Sequence, residues 1–443
     1  MKNRFLPVFV LLAVLMLGAV TPARAQSIIR DTEIENDLKG WTSEIFRAAG
    51  LSPSSVNFIL IQDTETNAFV AGGMNIFIYT GLIDKTENLD ELLGVIAHET
   101  GHIAGGHLVR TREAMEAASY EAILGTVLGL GTAIATGQGE AAGTLAQAGN
   151  SMATSSFLSH SRIQESSADQ AGFSFLDSAN IDPEGLLTFL QKMEDQELLP
   201  QTQQTEYMIT HPLSRNRIDA LQGKVKSSSN YGKPLPSNWV AQYQMMKAKL
   251  TGFISPERVI WDYPDQDTSL PARYARTIAA YRQHKTDQAL KMADGLIASQ
   301  PDNAYFYELK AQILSESGQM KSALPIYKTA IAKAPSSNGL IRIDYSHALI
   351  ESAGSAQGPL NEAISQLKLA QKDEKRSPRL HRLMATAYGR LGDEPRAGLH
   401  LAEEALLQGR KDYAKQRAQG ALNGLPSGSA DWYRAQDLLK TLE

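Results

Sequence analysis

The sequence predicts a mostly α-helical protein in two parts: an N-terminal domain with one small β-sheet, then a helical solenoid. Three observations predict this. Apolar residues recur at helical spacing over much of the chain, as in Ile34, Leu38, Trp41 and Ile45. Strand-like runs are confined to residues 55–83. From about residue 270 the sequence repeats itself with an offset of 34.

The elements follow in order. Residues 1–25 carry Lys2 and Arg4, an apolar run to Val20, and Ala23-Arg24-Ala25. A basic start, an apolar middle and a small-x-small end predict a secretory signal cut after Ala25, and with it a periplasmic protein. A retained N-terminal anchor is the alternative; the apolar run is short and interrupted by Pro7, which argues against it. No cysteine stands at the cut site, so lipid attachment there is excluded. Losing Lys2, Arg4 and Arg24 moves the formal charge from −5 to −8, which argues against nucleic acid as the main partner. The 443 residues include no cysteine at all. Disulfides are therefore excluded, and any metal site must use His, Asp and Glu.

The first helix ends at Gly50. "SVNFILIQ" (55–62) reads as a strand, and "NAFVAGGMNIFIYTGLI" (67–83) as two strands joined at Gly72-Gly73. Asn88 with Glu91 makes a capping box for the helix that follows. An Ala/Gly-rich, helix-like stretch runs from Glu113 to Ala153, and further helices pass through "SSADQAGFSFLDSA" and "PEGLLTFLQKMED". Residues 26–225 thus form one domain. The Ser, Pro and Gly of "KSSSNYGKPLPSN" (226–238) predict a linker. A helix over 239–250 crosses back, so 226–269 is linker plus connecting helix.

In residues 270–443, Ala289 aligns with Ala323, Pro301 with Pro335 and Ala363 with Ala397, each pair 34 apart. The step from Ala323 to Ala363 is 40, which an insertion around "GSAQGP" explains. Ala311 and Ala385 each lie seven before a glycine, Gly318 and Gly392. A 34-residue helix–turn–helix period with small residues at packing positions is the tetratricopeptide signature. Such arrays present a curved surface that binds proteins.

The chemistry concentrates in "GVIAHETGHIAGGHL" (94–108), which holds three of the nine histidines. Residues four apart share a helical face, so His98 and His102 can point two imidazoles at one ion. Glu99 projects beside them, where a general base would act on water. The alternative is a core helix with satisfied histidines. Apolar flanks argue against it, because buried histidines and a glutamate cost free energy without a partner. Zinc needs a third protein ligand. His107 is rejected, since an extended H-E-x-x-H-x-x-G-x-x-H pattern would place histidine at 108, which is leucine. Glu165, 63 residues after His102, is the better candidate. Asp169, one turn on, can accept the Nδ1–H of a ligand histidine and fix its ring.

HETGH followed by E-S-S-A-D resembles the gluzincin zinc metalloproteases of the HtpX/BepA family. "NAFVAGGMNIFIYTGLI" resembles its edge-strand segment, and "THPLSRNRI" (210–218) its His-Pro motif with an arginine six residues on, here Arg217. The repeats resemble the BepA branch. The resemblance implies a zincin-type metalloprotease fold holding one Zn2+ on His98, His102 and Glu165. Catalysis would fall to Glu99, Asp169, His211 and Arg217, with His211 filling the open metal position in the resting enzyme. It further implies a zinc endopeptidase in outer-membrane protein quality control, acting on unfolded or misassembled outer-membrane proteins and their assembly machinery. A chaperone or assembly adaptor with a latent protease is the alternative. Related membrane-bound members span the bilayer; here Ala122–Thr136 offers about fifteen residues, short of the roughly twenty needed, and reads as a lid or a membrane-surface contact. An extended substrate is expected to pair with the Asn75–Thr80 strand.

Overall fold

The computed structural model describes residues 27–107, 151–197, 205–211 and 215–442. The signal sequence expected at 1–25 and the Ala122–Thr136 segment lie outside the described residues. No helix among the described residues is long and apolar enough to cross a membrane.

The first domain is a small sheet packed on helices. Strand β1 (Ser27–Ile29) leads into helix α1 (Thr32–Ala48), which Asp31 caps by accepting from the Ile34 N–H. Strands β2 (Asn57–Gln62), β3 (Ala68–Ala71) and β4 (Asn75–Tyr79) complete a four-stranded sheet ordered β1-β2-β4-β3. Strand β4 runs parallel to β2, with Asn57 opposite Asn75, and antiparallel to β3, with Ala68 opposite Ile78. This corrects one expectation. The Asn75–Thr80 strand cannot accept a substrate by backbone pairing, because both its edges are taken. The terminal strand on that side is β3.

Helix α2 (Thr80–Lys85) turns the chain into α3 (Leu89–Ala104), the helix of the paired histidines. Asn88 caps α3 by accepting from the Glu91 N–H at 3.0 Å. The return bond of the capping box slips by one residue: Glu91 Oε2 accepts from the Glu87 N–H, at 2.9 Å. Helices α4 (Ser151–Ser178), α5 (Glu184–Glu197), α6 (Glu206–Thr210) and α7 (Arg215–Ser227) follow. The core joins Ile34, Leu38, Trp41 and Ile45 of α1 to Leu92, Val95 and Ile96 of α3 and to Leu186, Phe189 and Leu190 of α5. Helix α8 (Ser237–Ile254) adds Tyr243, Met246 and Leu250 to that core.

Helix α9 (Val259–Asp262) leads into ten helices arranged as consecutive pairs: α10 (Leu270–Arg282), α11 (Thr286–Ser299), α12 (Ala304–Glu316), α13 (Met320–Lys333), α14 (Gly339–Ser352), α15 (Gln357–Ala370), α16 (Pro378–Arg390), α17 (Glu394–Leu407), α18 (Lys411–Gly424) and α19 (Ala430–Thr441). The aligned alanines Ala289, Ala323, Ala363 and Ala397 are all buried between helices. Gly318 and Gly392 turn the chain within equivalent pairs, with φ of +80° and +81°, a conformation that L side chains resist. The array rests on α1 through Asn36, which donates to Tyr305 Oη and to the Ser337 carbonyl, and through the Arg30–Glu374 ion pair.

Helices α3 and α4 touch backbone to backbone. A Cβ on Gly101 would lie 2.6 Å from the Ala168 carbonyl oxygen, and one on Gly172 3.0 Å from the His98 nitrogen. Gly101→Ala tests this contact. Helix propensity favours alanine by up to about 1 kcal/mol, but forcing a methyl into a packed backbone costs roughly 1–3 kcal/mol. The expected result is net destabilisation in urea denaturation; a variant more stable than wild type would show that α3 and α4 can part freely.

Candidate active site

Two crossing helices and one capping residue build the site. His98, Glu99 and His102 lie on α3, and Glu165 and Asp169 one turn apart on α4. His211 ends the short helix α6, and Arg217 lies in the first turn of α7. His98, Glu99, Glu165, Asp169, His211 and Arg217 are all buried.

Four donors converge. His98 Nε2 lies 3.1 Å from His102 Nε2 and 3.3 Å from both His211 Nδ1 and Glu165 Oε2. Glu165 Oε1 lies 3.2 Å from His102 Nε2, and Oε2 lies 3.2 Å from His211 Nδ1. Ligands held tetrahedrally at about 2.0–2.1 Å, as zinc holds them, stand about 3.3 Å apart. The spacing therefore suits one small divalent ion.

The outer nitrogens are fixed by partners that can only accept or that are free to do so. Asp169 Oδ1 accepts from His98 Nδ1 at 2.8 Å, which leaves the Nε2 lone pair facing the other donors. The Ala68 carbonyl accepts from His211 Nε2 at 3.1 Å, so the Nδ1 lone pair of that ring turns the same way. His102 Nδ1 lies 3.0 Å from His107 Nδ1. His107 thus stands behind His102, on the side away from the donor cluster, and is no ligand there. Arg217 grips both oxygens of Asp169, from Nε at 2.6 Å and Nη2 at 2.8 Å, and reaches Glu165 Oε2 from Nη1 at 3.1 Å.

The electrostatics call for a cation. Burial alone would raise the Glu165 carboxyl, but His211, His102 and His98 hold it well below the usual carboxylate range. Asp169 is likewise held low, against its burial, by Arg217 and His98. Burial opposes charge on His98, yet Asp169 and Glu165 push it up to about 10. The carboxylates thus demand positive charge at His98 Nε2, where a proton and a metal ion compete. Burial pushes His102 down to about 4, the neutral form that a ligand needs. Burial also pushes Glu99 up, against the pull of His211 and His98. Both Glu99 oxygens are buried without a hydrogen bond to any described residue, and Oε1 sits 3.4 Å from His211 Nε2. A carboxylate so placed can exchange a proton with a water or a leaving group beside the ligands.

The structure brings together every residue singled out from the sequence except His107. It adds two features with no strong sequence signal. Tyr207 packs its ring 4.7 Å from that of His211, and its hydroxyl is buried without a hydrogen-bond partner among the described residues. Its spacing of four before His211 was the available hint. The Ala68 carbonyl could not be read from any side chain.

Residues 33–225 match the description "Peptidase family M48", and residues 268–418 match "Tetratricopeptide repeat". The chain is similar to the Beta-barrel assembly-enhancing protease of Yersinia pestis, 29% identical over 283 residues, covering 61% of this chain and 55% of that protein. The protein of that name from Escherichia coli is 27% identical over 383 residues, covering 84% and 75%. Metalloprotease LoiP of Escherichia coli is 28% identical over 220 residues, covering 47% and 75%. The chain thus spans just over half the length of the Yersinia relative and three quarters of the Escherichia coli ones. The M48 family implies a catalytic metal, and the donor spacing and charge of the His98, His102, Glu165 and His211 cluster fit one.

Asp169→Asn should keep the shape of the site but weaken the hold on His98. Loss of such an orienting carboxylate typically costs 10–100-fold in metal affinity. Competition against a chromophoric chelator measures it, and an affinity equal to wild type would show that Asp169 does not set the His98 ring.

Proposed function

We propose that this chain, whose residues 33–225 belong to peptidase family M48 and whose residues 268–418 are tetratricopeptide repeats, is a periplasmic zinc endopeptidase acting on outer-membrane proteins during their assembly and quality control. The observation that carries the chemistry is the buried donor cluster with the Glu99 carboxylate beside it, which takes no hydrogen bond from any described residue. The client class rests on the names of the relatives. The compartment rests on the signal-like residues 1–25 and the absence of cysteine. The array supports docking of clients or of assembly machinery, since stacked repeats build extended binding surfaces.

His98, His102 and Glu165 would hold the zinc ion. Bound there, zinc supplies an acidified water and polarises the scissile carbonyl. The rest is done by the chain's own groups. Glu99 takes the proton of the attacking water on a carboxylate oxygen and returns it to the leaving amine. Asp169 and Arg217 keep the His98 ring and the Glu165 carboxylate in place. An extended client pairs with β3, the terminal strand of the sheet among the described residues. The Asn67 carbonyl accepts from the Tyr79 N–H of β4, so the next carbonyl, Ala68, points outward along that edge. That carbonyl is the one His211 occupies. A pairing strand would therefore compete with His211 for Ala68 and release the ring from the donors in the same movement.

A latent protease serving mainly as an assembly adaptor is the second reading, and the position of His211 favours it. With Nδ1 3.3 Å from His98 Nε2 and 3.2 Å from Glu165 Oε2, the ring stands where a water would have to bind.

Two variants test the chemistry. Glu99→Gln should keep metal and fold while peptidase activity on an unfolded substrate falls on the order of a hundredfold or more. Near-normal cleavage by it would sink the mechanism. His211→Ala should open the fourth position and raise cleavage of casein by the metal-loaded protein, with self-cleavage. A metal-loaded variant slower than wild type would refute the latch and assign His211 to the substrate instead.

A further inference from the structure

The repeat array contains a second cluster of metal-ligand type that the peptidase reading does not use. His381 lies on α16, and His400 and Glu403 lie one turn apart on α17. The two imidazoles are 3% and 2% exposed. His381 Nδ1 and His400 Nδ1 are 3.1 Å apart, and Glu403 Oε2 lies 2.9 Å from the first and 3.0 Å from the second. Oε2 is itself buried, yet it accepts no well-directed hydrogen bond from any described residue. It stands against two ring nitrogens without lying on the axis of either.

That is the pattern of the active site. There too Glu165 stands 3.2–3.3 Å from His98 and His102. In both clusters an arginine orients the carboxylate. Arg217 holds Glu165, and Arg434 of α19 donates to Glu403 Oε1 at 2.5 Å, which leaves Oε2 for the histidines. Tyr388 stacks on the His400 ring, centroids 5.7 Å apart and planes 7° from parallel, and limits its rotation. A triangle of two imidazole nitrogens and a carboxylate oxygen with sides near 3 Å approximates one face of a tetrahedral site, where donors stand about 3.3 Å apart. Hydrogen bonds serve such a triangle poorly, because one proton satisfies only one side. A divalent ion satisfies all three lone pairs at once.

The geometry points to a second metal site, formed by His381, His400 and Glu403, that takes a divalent transition ion of the zinc type and clamps α16 to α17. Imidazole and carboxylate donors suit zinc and cobalt. The ion is independent of the peptidase centre.

The test uses the untagged full chain after export, stripped with chelator, then dialysed against Zn2+ and analysed for bound metal. Wild type should saturate at two ions per chain, His400→Gln at one, His102→Gln at one, and the double variant at none. Cobalt loading should show two tetrahedral absorption components, of which His400→Gln removes one. His400→Gln should keep its helical circular dichroism and its peptidase activity. If it unfolds, Glu403→Gln decides, because it spares both imidazoles: the second ion should then bind at least tenfold more weakly. Saturation of wild type at one ion, with none in His102→Gln, would overturn the site. So would two ions bound at unchanged affinity in Glu403→Gln.

Discussion

Everything at the donor cluster depends on how closely α3 and α4 approach. At Gly101, Ala168 and Gly172 no side chain larger than a methyl stands between the two backbones. Only at that separation can Glu165 and Asp169, on one helix, reach His98 and His102 on the other. Interiors are packed too tightly to recover a lost ångström by rotamer change alone. The short side chains around the HETGH stretch are therefore a condition for the ligand set as well as a feature of packing.

That approach also buries charge. Glu165, Asp169 and Arg217 lie in the interior with three imidazoles around them. Removing one member of a buried charged set typically costs 3–5 kcal/mol, because another is left uncompensated. The arginine is therefore tied to both carboxylates and the outer histidine nitrogens to Asp169, His107 and the Ala68 carbonyl. Each histidine tie fixes a ring as well as satisfying a ring nitrogen. The same bonds that make burial tolerable aim the free lone pairs at one point.

Much of this could be read in the sequence because it is local. The spacing of His98 to His102 and of Glu165 to Asp169 is one helical turn, so each pair shares a face whatever the rest does. The Asn88 cap and the alanines of the repeats follow the same logic. Long-range pairing could not be read. The resemblance puts the Asn75–Thr80 strand at an edge, but a parallel partner from before the hairpin, β2, covers it. Nothing in a hairpin-like run tells which side a third strand will choose. His381 and His400 sit on different helices, and neither motif nor period links them. The role of His107 was also hidden: its exclusion as a ligand rested on spacing, whereas its partner is the far nitrogen of His102.

The array is joined to the first domain by more than a linker. Lys249 of α8 is buried and pairs with Asp31 at 2.6 Å and with Glu33 at 3.0 Å, and the Tyr274 hydroxyl of α10 donates to the same Glu33. One buried charge network therefore spans α1, the connecting helix and the first helix of the array. Pulling the array away would strand a buried ammonium or carboxylate, so the joint resists hinging. Helix α1 in turn shares its core with α3. On the proposed reading this rigidity matters. A client held by the repeats is presented to β3 at a fixed distance, so the second contact becomes intramolecular and weak strand pairing suffices. Low sequence demand at the cleft and selectivity in the array are then two consequences of one rigid joint.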